Sequence, residues 1–208
     1  MASHPITRYQ YKKLIKKTRS ENNKFISERD CLMVYFERFC GFRPMESRCI
    51  QISHIHLKEK FIFIPAENNK EHQEDYFPLR WRVRHRIKKY LKFMKNYQES
   101  IWLFPCYWNK DRNQDLPVDA RTFQRSYLRR LKELGFIHLS FYDKQGKPRY
   151  NLNHYSLRKR FGTEVYHKFK RPEITAMFLR QHDKRYGSVW NYVFLEQQEN
   201  LPRMISKI

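Results

Sequence analysis

The hydrophobic positions of this chain fall into segments of two different periods. Leu32-Met33-Val34-Tyr35-Phe36, followed by Phe39, is apolar on nearly every side, which predicts a buried helix rather than a surface one. Ser27 and Asp30 stand ahead of it in capping-box spacing, and Gly41 is placed to end it in a left-handed turn. Pro44 suits the first turn of a second helix. Arg43 is therefore expected in the tight joint between two helices.

The remaining pattern fills in around that joint. Ile6 to Thr18 reads as a basic opening helix anchored by Leu14 and Ile15. Lys60-Phe61-Ile62-Phe63-Ile64-Pro65 is a strand signal, 66–74 a polar hairpin loop, and Asp75-Tyr76-Phe77-Pro78-Leu79 a returning strand ended by proline. Val83, Ile87, Tyr90, Leu91 and Met94 form the apolar stripe of a helix over Arg80 to Tyr97. Asp119 is positioned to cap a helix running to Leu134, with Gly135 beyond its end. His138 to Tyr150 is irregular, hairpin-like, around Gly146 and Pro148. Asn153 or His154 opens a helix with Leu157, Phe161 and Val165 inward, and Pro172 starts another to about Leu179. Arg180 to Gly187 reads as a loop, and Ser188 as the cap of a last helix. The fold class expected is mainly α with one small antiparallel β-sheet, an α+β domain.

Charge changes the picture most. The 208 residues include 43 Lys and Arg against 21 Asp and Glu, a formal net charge of +22. A chain this basic is built to meet a polyanion, DNA or RNA before a membrane surface. No apolar run approaches the roughly 18 residues that a membrane span requires. An aromatic content of 16% excludes a disordered basic tail. The cysteines, Cys31, Cys40, Cys49 and Cys106, form no CxxC pair, and read as reduced core thiols of a cytosolic protein. Asp30, Asp75, Asp111, Asp115, Asp119 and Asp183 are scattered and make no metal motif. In this setting Arg43 has two readings. Its planar fork of donors beside free helix N–H groups suits a phosphate; alternatively it pairs with Glu46 or Asp30 and stabilises the corner.

The order of these elements resembles the catalytic domain of the tyrosine recombinases, the phage-integrase family. Gly41-Phe42-Arg43-Pro44-Met45-Glu46 is similar to the family's first-arginine box. Phe61 to Leu79 resembles its hairpin, which ends in a Pro-Leu pair and carries a lysine whose place falls on Lys70. Asp115-Leu116-Pro117 and Glu133-Leu134-Gly135-Phe136 match the linking segment. Ser156-Leu157-Arg158-Lys159-Arg160-Phe161-Gly162-Thr163 looks like the second-arginine box, and Phe178-Leu179-Arg180-Gln181-His182 like the histidine box. Tyr192 stands where the nucleophile is expected. Three places depart from the pattern. The second box begins with Tyr155, beside His154, where the family usually has histidine. Gln181 takes the place of a usual glycine. The step from His182 to Tyr192 is longer than usual, and Tyr186 is a rival nucleophile.

The resemblance implies a DNA strand transferase working through a 3′-phosphotyrosyl intermediate, with no metal, ATP or other cofactor. Arg43, Lys70, Tyr155, Arg158, His182 and Tyr192 are its implied catalytic residues. Arg43 and Arg158 would grip the non-bridging oxygens, His182 would donate to them or help move a proton, Lys70 would protonate the leaving 5′-oxygen, and Glu46 would orient Arg43. It implies double-stranded DNA as partner, a homo-oligomer ending in a tetrameric synapse, and a cytoplasmic, nucleoid-associated enzyme. Residues 1–208 are expected to be a single catalytic domain, with 6–192 as core, 193–208 as a tail exchanged between protomers, and the family's N-terminal core-binding domain absent. Competing readings are a non-catalytic DNA-binding regulator on the same scaffold, a type IB topoisomerase-like enzyme and a metal-dependent nuclease or transposase.

Overall fold

The apolar run beginning at Leu32 lies inside helix α2, Lys24–Phe39, around which the other elements pack. α1 (Arg8–Arg19), the short α3 (Pro44–Arg48), α4 (Trp81–Met94) and α6 (Tyr155–Phe169) all contact it. Phe25, Leu32, Met33, Val34 and Phe36 are buried, which is why the sequence needed no polar stripe there. The computed structural model describes residues 3–70, 72–97, 99–106, 115–181 and 189.

α2 begins earlier than its apolar run. Its cap is Asn23, whose side chain accepts the Ile26 N–H at 3.1 Å. The capping-box reading of Ser27 and Asp30 is therefore corrected: both lie within the helix and are buried. Asp30 instead accepts from Arg29 at 2.9 Å and from Arg130 of α5 (Ala120–Glu133) at 2.8 Å. A buried acid with two guanidinium partners overrides its local preference for a cap. Glu21 continues this net by taking Arg129 and Arg130.

The strands sit to one side. β1 (Ile55–His56), β2 (Phe61–Ile64) and β3 (Asp75–Pro78) form a three-stranded antiparallel sheet in that order, with Ile62 opposite Phe77. β3 ends at the proline, as its missing donor requires. The segment after Gly135 is a separate antiparallel pair, β4 (Leu139–Tyr142) and β5 (Pro148–Tyr150), exposed along its length. α4 shows the expected stripe, with Val83, Ile87, Tyr90 and Met94 buried and Leu91 only partly so. Arg82, Lys88, Lys89, Lys92 and Lys95 stand outside. α7 runs from Pro172 to Phe178. The domain is mostly helical with small antiparallel sheets. All four cysteines are free thiols; Cys31 and Cys40 are buried, and Cys49 and Cys106 are only half-buried.

Two features have measurable consequences. Gly41 has φ +63°, and a Cβ built on it would lie 2.3 Å from the Phe161 ring. Gly41→Ala combines a left-handed backbone cost of about 1–2 kcal/mol with overpacking of about 1–3 kcal/mol. A loss of roughly 2–4 kcal/mol in urea unfolding is expected. Glu37 is fully buried, and neither carboxylate oxygen has a hydrogen-bond partner among the described residues. Burial pushes its carboxyl well above the ordinary value, against the pull of Arg158. The folded state thus keeps this proton to higher pH than the unfolded chain, so stability drains away as pH rises above the ordinary carboxylate range. Glu37→Gln removes that loss. Its melting temperature should match wild type near pH 4 and exceed it by a margin that widens toward pH 8.

Candidate anion site at the corner between α2 and α3

The chain leaves α2 at Cys40, turns through Gly41 and enters α3 at Pro44. Arg43 is the residue before the first turn of α3, and Glu46 reaches back to it. Glu46 accepts the Arg43 backbone N–H at 2.7 Å and the Arg43 Nη1 at 2.5 Å. The pairing reading of Arg43 is thus met by Glu46, while Asp30 belongs to the distant net on α5. Glu46 is 1% exposed, so its charge cannot be solvated by water and must be met by protein.

Two more guanidinium groups meet it. Arg158, on the first turns of α6, has Nη1 3.8 Å from Glu46 Oε2, and donates to the carbonyls of Gly41 and Leu179. Arg180, just after α7, donates from Nη2 to Glu46 Oε2 at 2.7 Å. Arg43 also donates to the Arg180 carbonyl at 3.3 Å and to Asn69 Oδ1 at 3.5 Å. Burial on its own raises the Glu46 carboxyl. Arg180, Arg158, Arg43 and the Arg43 N–H outweigh it and hold the group at about 2. Among the described residues three cations thus surround one anion, a gathering of planar donors of the kind that suits an anionic ligand.

Asn69 links this corner to the sheet. It is buried, and its Nδ2 donates to the Gln73 carbonyl at 2.8 Å, closing the turn between β2 and β3. Lys70, the next residue, is exposed on that turn. Its amine is therefore carried by a loop whose preceding side chain touches Arg43.

Tyr155 lies elsewhere. It is 43% exposed and lines a different cavity, of about 350 Å³, with Phe141, Tyr150, Asn153 and Lys159. Its backbone N–H donates to Asn153 Oδ1 at 2.9 Å as α6 begins. The His154 ring lies tilted against it, with centroids 4.4 Å apart, and burial lowers that imidazole to about 4, which leaves it neutral at physiological pH. Of the residues singled out from the sequence, the fold brings Arg43 and Arg158 together and hangs Lys70 on the adjoining turn. It turns Tyr155 toward the β4–β5 hairpin. His182, Tyr186 and Tyr192 lie outside the described residues.

Two contributors went unread. Asn69 sat in a polar stretch with no pattern to separate it from its neighbours. Arg180, in a segment whose sequence reads as a loop, closes α7: its N–H donates to the Met177 carbonyl and that of Gln181 to the Ala176 carbonyl, both at 3.0 Å. This is the double bond pattern in which a left-handed residue, usually glycine, ends a helix. Arg180 has φ +51°. The glycine-like place is thus Arg180 itself, one residue before Gln181.

The model of the phage integrase family matches residues 5–184. Among solved structures the chain is similar to XerA recombinase, with 16% identity and a TM-score of 0.66 over 92% of this chain and 58% of that one. It is similar to the XerH site-specific recombinase bound to palindromic difH substrate, with 15% identity and a TM-score of 0.70 over 100% and 54%. The Tn1549 transposon integrase in complex with circular intermediate DNA gives 13%, 0.64, 92% and 61%. No curated protein sequence matches the chain. The chain spans between about half and three fifths of these proteins, and at such identities the likeness is one of fold.

Glu46 is the test of this corner. Glu46→Gln takes the shared carboxylate away from buried Arg158 and Arg180 and from half-buried Arg43, and breaking a buried pair costs about 3–5 kcal/mol. Because the folded carboxyl is held down at about 2, its contribution is complete above the ordinary carboxylate range and is lost as pH falls toward 2. The gap in urea stability between wild type and Glu46→Gln should therefore be full at pH 6–7 and narrow steadily below about pH 4.5.

Proposed function

The chain belongs to the phage integrase family, and from that premise we propose that it is a site-specific DNA recombinase that cuts and rejoins duplex DNA through a 3′-phosphotyrosyl intermediate. The observation that carries this is the meeting of Arg43 and Arg158 at one buried corner. Two planar forks from distant segments suit the two non-bridging oxygens of a phosphodiester. The described residues hold no group of His, Cys, Asp and Glu arranged to bind a metal, and this chemistry asks for none.

In the proposed reaction the Tyr192 oxygen attacks phosphorus and the bond to the 5′-oxygen breaks. Arg43 and Arg158 neutralise the charge that develops on the phosphorane. His182 donates to the same oxygens or helps move a proton. Lys70 gives its proton to the departing 5′-oxygen as general acid. The covalent ester keeps the energy of the broken bond, so no ATP is required. Tyr155 takes no step in this scheme beyond packing at the start of α6.

Double-stranded DNA is the proposed partner. XerH and the Tn1549 integrase are described bound to DNA, and the exposed cations of α4 supply a sequence-independent hold on phosphates. The assembly proposed is a homo-oligomer on DNA, a tetrameric synapse, with 193–208 exchanged between protomers. Residues 1–208 act in it as a single catalytic unit, at the nucleoid in the cytoplasm. Among the described residues no helix is long and apolar enough to cross a membrane.

Nicked suicide DNA carrying the recombination site tests the reaction. Wild type should become covalently attached to DNA, and Tyr192→Phe should abolish the adduct while Tyr186→Phe leaves it. The opposite pattern reassigns the nucleophile, and wild type that binds DNA without any adduct rejects the enzyme. Lys70→Ala should slow cleavage by about 10²–10⁴-fold, the span of a general acid. A bridging 5′-sulfur should restore most of that rate, since a thiolate leaves without a proton.

A further inference from the structure

Arg180 occupies a place that backbone geometry disfavours for it. The turn that ends α7 requires the left-handed region, and Arg180 adopts φ +51° there, where glycine would be free of strain. The side chain is nevertheless 2% exposed, and both terminal nitrogens are engaged, while Nε has no hydrogen-bond partner among the described residues. Nη2 donates to Glu46 Oε2 at 2.7 Å and to the Gly41 carbonyl at 2.9 Å. Nη1 donates to the carbonyls of Cys40 at 3.3 Å and Phe178 at 3.4 Å. The guanidinium plane lies over Phe42 at 4.4 Å and beside Phe77 at 5.4 Å. The partners explain its position: Gly41 O is also the acceptor of Arg158, Glu46 is also the acceptor of Arg43, and the Arg180 carbonyl receives Arg43 at 3.3 Å.

We propose that Arg180 is a positioning residue, which fixes the Glu46 carboxylate and the Gly41 carbonyl and through them holds Arg43 and Arg158 at the spacing of one phosphate. The inference rests on the recombinase reading for its activity assay, but its structural content does not. Among the described residues the charged groups facing Glu46 are Arg180, Arg158 and Arg43, so loss of Arg180 removes one of these three cations that keep Glu46 ionised. A side chain that only filled space would leave the protonation of Glu46 untouched.

The experiment compares Arg180→Gly, which relieves the backbone, with Arg180→Lys, which keeps a charge but not the fork, in the full chain. On suicide DNA, Arg180→Gly should form adduct at least 100-fold more slowly, with DNA affinity within about threefold of wild type, and the acid limb of its pH–rate profile should move to higher pH. Added guanidinium ion at low millimolar concentration should recover part of the rate by refilling the vacated place. Arg180→Lys should be slowed about tenfold with the acid limb near its wild-type position. Either variant cleaving at the wild-type rate overturns the proposal. So does loss of fold in both, seen by near-UV circular dichroism, which would make Arg180 a core residue only. If wild type itself forms no adduct, the recombinase reading fails separately. The side-chain ¹⁵N signals of Arg43 and Arg158 then decide: displaced or broadened signals in Arg180→Gly support the positioning role, and unchanged signals reject it.

Discussion

A carboxylate taken out of water is tolerable only where positive charge replaces the solvent it has lost, and the Glu46 corner is arranged around that requirement. Arg43 comes from the same turn, Arg158 from the start of α6 and Arg180 from the end of α7. Each guanidinium also takes main-chain carbonyls, so the joint between α2 and α3 is tied to the end of α7 with α6 between them. One acid thus sets the relative position of three separate segments. Among the described residues, Glu46 is the carboxylate that these three guanidinium groups share.

The second arginine net makes the contrast. Arg29 and Arg130 hold Asp30, Arg129 and Arg130 hold Glu21, and Arg129 and Lys17 hold Glu133. Four cations there meet three acids, close to balance, and the net ties α2 to α5 with little charge to spare. Both clusters are dense in arginine and both are at least partly buried. The two differ in composition among the described residues: this net pairs four cations with three acids, whereas the net of Glu46 gathers three guanidinium groups around one carboxylate.

Much of this was legible in the chain. The unbroken apolar run, the glycine at its end and the proline after Arg43 each act locally, and each produced the element expected of it. The Glu46 contact was legible for the same reason, because a three-residue spacing at a helix start is a local geometry. Asn23 was missed because its capping partner lies ahead of the apolar run, and Asp30 because long-range ion pairs outcompeted a local cap. Arg180 left no signal. Sequence reading expects glycine to mark a left-handed helix end, and the contacts that hold an arginine there come from residues more than a hundred positions away. Tyr155 was placed by order along the chain alone, which does not determine toward which cavity a ring at a helix start will turn.

Gly41 serves two purposes whose demands do not overlap. Its backbone twist carries the chain round the corner, and its bare α-carbon leaves room for the Phe161 ring. Trimming Phe161 would open space for a methyl group yet leave the twist unfavourable, and straightening the turn would relieve the twist yet move a carbonyl that two guanidinium groups share. No single replacement elsewhere can compensate a change at this residue. Descendants of this sequence can therefore abandon the glycine only by rebuilding the joint and the ring together, a path that random drift, moving one step at a time, will rarely find.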